Sequence, residues 1–124
     1  MSAGSIVNTG KNLLLNRLYN GGSPHVFEFA VGSGTTNPVV TDSGLEYPIA
    51  SGLNFVTGYP SFDTTNQKVT VRGFIPAGSY NGATLSEVGE FSSGGGIMFS
   101  RDTFTGISKS GSDEVAIVWQ HQVV

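Results

Sequence analysis

A chain of 124 residues is about one domain long and too short for two, so residues 1–124 are expected to form a single structural domain. Hydrophobic residues make up 38% and charged residues only 12%, about half the usual charged fraction of roughly 25%, which leaves material for one thin core. The formal charge is −3 and the six basic residues (Lys11, Arg17, Lys68, Arg72, Arg101, Lys109) are scattered singly, which excludes a nucleic-acid partner held by phosphate neutralisation.

No run approaches the ~20 consecutive apolar residues of a membrane span, so membrane insertion is not expected. The start, MSAGSIVNTGK, carries no basic region followed by a long apolar core, so no signal peptide is expected either. Eighteen glycines, with abundant Ser, Thr and Asn, fit short strands joined by many turns. Eight Phe, four Tyr and one Trp argue against disorder, which depletes aromatics. Without cysteine, stability must come from packing or from oligomerisation.

In chain order, residues 1–8 read as a lead-in whose Ile6 and Val7 can join a sheet edge. A helix is predicted over 10–19, with Thr9 or Asn8 as its N-cap and an apolar face of Leu14, Leu15 and Leu18. Gly21-Gly22 supplies the stop, with Pro24 beyond it. From His25 the period changes to two: His25, Phe27, Phe29 and Val31 on one face, Val26, Glu28 and Ala30 on the other. This strand runs into Gly32-Ser33-Gly34 and a polar loop over 32–44, then a short Leu45–Ile49 segment in which Pro48 suits an edge or a turn.

Leu53, Phe55, Thr57 and Tyr59 alternate again up to Pro60. The turn at 63–66 then predicts a hairpin with the strand 67–75, whose Val69, Val71, Gly73 and Ile75 share a face. A strand over 84–91, a glycine turn over 92–96 and a return strand over 97–104 follow. After a polar turn at 108–113 the chain closes on 114–124, with Val115, Ile117, Trp119, His121 and Val123 on one face. Six or seven strands and one short N-terminal helix make the expected fold mainly β, an antiparallel β-sandwich. Several strands are polar on both sides, so fewer buried faces are expected than that count suggests.

The candidates for chemistry are few. His25 and His121 lie on apolar strand faces, where a core or interface histidine is the simpler reading than a ligand, and no cysteine completes a zinc site. Ser33 sits in no G-x-S-x-G turn and has no evident base. Glu87 and Glu90 are three apart on one strand and point to opposite faces, so they cannot jointly flank a glycosidic bond. Glu87 is expected to turn inward and bond backbone groups. Asp42 and Glu46 could hold calcium together with backbone oxygens, but Asp42-Ser43-Gly44 reads more simply as an Asx-type turn. Gly32-Ser33-Gly34 lacks the Lys-Ser/Thr of a P-loop and the third glycine of a dinucleotide site. Tyr47, Tyr59 and Tyr80 sit in loop-like positions and suit either sugar stacking or subunit contact. No catalytic, cofactor-binding or metal residue is nominated.

Taken together, several stretches resemble a family of small tailed-bacteriophage virion proteins of the tail-fibre and tail (baseplate) type. They are Asn8-Thr9-Gly10-Lys11-Asn12, Val31-Gly32-Ser33-Gly34-Thr35-Thr36, Pro38, Thr41-Asp42 and Leu45-Glu46. Ser86-Glu87-Val88-Gly89-Glu90-Phe91, the glycine turn, Met98-Phe99-Ser100-Arg101-Asp102-Thr103-Phe104, Ile107-Ser108-Lys109 and Ile117-Val118-Trp119 follow in order. The likeness spans roughly residues 6–120 and departs from the pattern at 47–62. It implies a non-enzymatic assembly protein without cofactor, made in the host cytoplasm and resident in the virion, in the tail ahead of the head. Its partners would be copies of itself in a homo-oligomer and other virion proteins. Two other classes stay open: capsid decoration of the head shell, and a carbohydrate-binding module in which Tyr47, Tyr59, Tyr80 and Trp119 line a groove for a host-surface glycan.

Overall fold

The computed structural model describes residues 5–20, 26–92 and 96–122. Among them, strand β1 (Ser5–Ile6) and helix α1 (Asn8–Asn20) precede β2 (Val26–Gly32), β3 (Pro48–Asn54), β4 (Ser61–Asp63), β5 (Lys68–Ile75), β6 (Thr84–Ser92), β7 (Met98–Ser108) and β8 (Val115–Gln122). The strands form a five-stranded sheet, β1-β7-β6-β2-β3, and a three-stranded sheet, β4-β5-β8. All pairings are antiparallel. The fold is a mainly β sandwich with one short helix, as the sequence predicts.

Between the sheets lies one apolar core. Phe29 and Val31 of β2, Leu85 and Val88 of β6, Val71 and Ile75 of β5, and Val115, Ile117 and Trp119 of β8 are all buried there. Each such side chain contributes about 1.5–3 kcal/mol by leaving water. Phe29 stacks on Phe55 at 5.9 Å, and both meet the Trp119 ring edge-on at 6.0 and 6.1 Å. The expected alternation of β8 holds along its described length, with Val115, Ile117, Trp119 and His121 inward. Val123, at its end, lies outside the described residues, as do His25, the glycine stop after α1 and the centre of the 92–96 turn.

Three local expectations are corrected. Among the described side chains of α1 the buried leucine is Leu13, while Leu14 and Leu15 are exposed; the side chain of Leu18 lies outside the described residues. Nor does Thr9 cap the helix: the Val7 carbonyl accepts the first bond, from Lys11 N–H, and the Thr9 hydroxyl donates to the Met98 carbonyl. Gly10 permits that docking, since a Cβ there would lie 2.1 Å from the Phe99 carbonyl oxygen.

Next, the strand expected over 53–59 is β3, which starts at Pro48, ends at Asn54 and pairs with β2 through Phe29 and Leu53. The alternation breaks because Gly58 has φ +92° and Tyr59 N–H bonds the Val56 carbonyl in a turn. The hairpin around 63–66 does form, but its first arm is only Ser61–Asp63, with Asp63 accepting from Thr65 and Asn66 N–H.

Finally, more strand surface is buried than its polarity suggests. Glu28 and Ala30 of β2 are buried along with Phe29 and Val31, and β6 is buried from Leu85 to Glu90. The segment 33–47 folds across the outer face of the large sheet and covers it, with Leu45 approaching Gly89.

Candidate functional site

Two polar clusters interrupt this frame, one on each face of β6. On the outer face, Glu87 is fully buried (0% exposed) and Arg101 of β7 nearly so (2%). The Glu87 carboxylate accepts hydrogen bonds from Gly34 N–H, from Glu46 N–H at 2.7 Å and from Tyr47 N–H at 3.0 Å. Arg101 Nε adds a fourth bond at 3.3 Å, and Arg101 Nη1 reaches Asp42 at 3.2 Å. Ser86 donates to the Gly34 carbonyl beside it. A buried carboxylate needs this kind of full satisfaction to remain charged.

The loop therefore does cradle an anion, and the anion is the protein's own Glu87. A Cβ on Gly34 would stand 1.9 Å from Glu87 Oε2 and 2.6 Å from Glu46 Cβ, so only glycine admits the carboxylate here. Asp42 bonds backward to Val39 N–H at 2.9 Å, closing a 39–42 turn instead of the expected Asx turn over 42–44. Glu46 accepts from the Thr36 hydroxyl and from Thr36 and Thr35 N–H, and the Thr36 bonds chiefly hold its carboxyl below the usual range. Asp42 and Glu46 thus turn to different partners. The described residues hold no group of three or more His, Asp or Glu side chains placed to share a metal ion.

On the inner face, Glu90 collects the second cluster. Its Oε1 accepts from the Ser100 hydroxyl at 2.7 Å and from Trp119 Nε1–H, and it contacts His121 Nε2. The His121 ring also stands edge-on to Phe99 at 5.3 Å. Glu90 and His121 form the polar end of an apolar cavity of about 290 Å³ walled by Leu13, Val26, Phe55, Val69, Val71 and Phe99. Leu14 and Phe62 stand at its side, and Phe62 is 73% exposed.

The sequence reading anticipated that Glu87 bonds backbone groups and that Glu87 and Glu90 face opposite ways, but Glu87 is buried on the outer face, under the 33–47 segment, and does not turn into the core. It missed the Glu90–Trp119–His121 cluster, whose members lie 29 and 31 residues apart. The available signal was the coincidence of a carboxylate, a histidine and the sole tryptophan on inward strand positions. Ser33 gives its N–H to the Tyr47 carbonyl. Tyr47 is 62% exposed and Tyr80 is exposed, Tyr59 is half-buried, and Trp119 is 1% exposed, so Trp119 cannot line a sugar groove. No family model matches the chain, and no curated protein sequence matches it. No described helix is long and apolar enough to cross a membrane.

Proposed function

We propose that the protein is a non-enzymatic structural protomer of a tailed-bacteriophage particle, in the tail fibre, baseplate or tail adaptor, assembling with its own copies and with other virion proteins. The observation that carries this reading is how the reactive side chains are used. Glu87, Arg101 and Asp42 tie a loop to a sheet, and Glu90, Trp119 and His121 tie one sheet to the other. Each serves the frame, and the Ser100 hydroxyl that bonds Glu90 is itself buried. Meanwhile Phe62, Tyr47, Leu14, Val39 and Val40 stand half or more in water, as contact-making side chains do before assembly. The resemblance in residues 6–120 supports the same class.

Gold-tagged antibody on intact particles of the phage encoding the chain tests it. Gold at the tail tip, fibres or collar is the expected result. Gold spread over the head would replace the tail reading with capsid decoration. Absence from particles would overturn both and bring the glycan-binding alternative forward, to be examined on a glycan array with Tyr47 and Tyr80 replaced by alanine.

A further inference from the structure

A sandwich of two open sheets has four edges, and each exposes backbone N–H and C=O groups that another strand can pair. Three of the four are guarded here. β1 is two residues long and pairs only Ser100 and Arg101 of β7, whose remaining residues include the charged Asp102 and Gly106. β3 opens with Pro48, shifts register twice against β2 and carries Gly52 at φ +67°. β4 is three residues long and ends at Asp63.

The fourth edge is β8. It is eight residues long and runs in unbroken register with β5 from Val115–Ile75 to Gln122–Lys68. Its sequence, VAIVWQHQ, has no Lys, Arg, Asp, Glu, Pro or Gly. Among the described elements, only β5 runs alongside it. Short length, charge, proline and bulges are the devices that keep an edge from pairing, and β8 has none of them.

We infer that the free edge of β8 pairs antiparallel with β8 of a second copy, joining the two three-stranded sheets into one six-stranded sheet across a twofold axis. The inference deepens the homo-oligomer part of the proposed function and rests on it. A second copy fits because an antiparallel strand is its own complement about a twofold axis. In an antiparallel ladder about every second residue turns both its N–H and C=O to one side, so about four residues of each β8 are available to the other. The solvent-side residues Ala116, Val118, Gln120 and Gln122 are small, apolar or neutral amides, so any register near Val118 brings uncharged side chains opposite one another. Exposed Val118, and exposed Phe74 on neighbouring β5, would lie on one continuous outer face.

The test is sedimentation equilibrium of the full chain, combined with cysteine scanning, for which the absence of native cysteine gives a clean background. Single variants Ala116→Cys, Val118→Cys and Gln120→Cys are oxidised, with Thr35→Cys on the distant loop as control. The expected result is a dimer that crosslinks at the β8 position on the twofold, where facing residues approach about 4.5–5.5 Å, and not at residue 35. Val118→Lys/Gln120→Lys should weaken dimerisation about tenfold or more while leaving the melting transition of the monomer in place. A monomer at all concentrations overturns the inference. So does a dimer that neither crosslinks through β8 nor responds to the lysines, although that result leaves the homo-oligomer reading standing.

Discussion

Arg101 Nε lies 3.3 Å from the Glu87 carboxylate, and both side chains are buried. An ion pair of this kind gains little over an apolar pair of the same shape, but losing one partner leaves the other charged and dry. Glu87 also holds three backbone N–H groups of the 33–47 segment. Glu87→Gln should therefore destabilise the fold by about 3 kcal/mol, the low end of the range for broken buried pairs, because Arg101 keeps Asp42. Urea unfolding measures it. A loss below about 1 kcal/mol would mean that the network orders the loop without stabilising the fold.

Gly34 provides a steric test of the same cradle. Its Cβ would meet Glu87 Oε2 at 1.9 Å, and no left-handed φ is involved, so Gly34→Ala probes space alone. The alanine must push the carboxylate or the loop aside, with an expected loss of about 1–3 kcal/mol. In a Glu87→Ala background the obstacle is gone and that loss should shrink markedly. Equal losses in both backgrounds would show that the clash with Glu46 Cβ dominates instead. Hydrogen exchange at Glu46 and Tyr47 amides would report the same loosening, since both donate to Glu87.

The legible parts of this fold are those whose physics is local. β8 reads directly as alternation because one face meets the core and the other water along its whole described length. Glu87 reads as a carboxylate bonded to backbone because a charge among strand residues needs such donors, although the face it takes is the outer one. The fold-back of 33–47 over β6 was not legible, since its Gly34, Glu46 and Tyr47 N–H groups look like ordinary loop amides until Glu87, 40 or more residues away, supplies the acceptor. β3 was misplaced because Phe55 continues the alternation of Leu53 in sequence, whereas its ring leaves the strand to stack on Phe29. Glu90 and His121 belong to strands in different sheets, and no sequence period links them.

Acid should act on the protein through two opposing sets of carboxyls. Hydrogen bonds hold Glu46, Asp63 and Asp113 below their ordinary values of 4.5, 3.8 and 3.8, chiefly from Thr36, Asn66 and Ser110. Each contributes stability that is present above its unfolded value and lost as pH falls through the lower folded one. Asp102 is opposite: burial raises its pKa above 3.8, and its Oδ2 is buried without a hydrogen bond. Its ionised form opposes folding, so its unfavourable contribution grows as pH rises from 3.8 through the raised value. Asp102→Asn should accordingly melt higher than the parent at pH 7, with the gap closing toward pH 3. A gap that stays constant with pH would assign the effect to packing rather than to the charge.

Gly73 of β5 packs directly on the Phe29 ring of β2. A Cβ on Gly73 would lie 2.6, 2.8 and 2.9 Å from three carbons of the Phe29 ring. That ring has nowhere easy to go, because Phe55 stacks on it and Trp119 meets it edge-on. Gly73→Ala should destabilise the protein by about 1–3 kcal/mol through overpacking. It should also perturb the fluorescence of Trp119, the sole tryptophan. Phe29→Leu removes the opposing ring atoms, so the double variant should be more stable than the sum of the two single losses predicts. Strict additivity in urea unfolding would show that the β5 backbone, and not the Phe29 ring, yields to the added methyl.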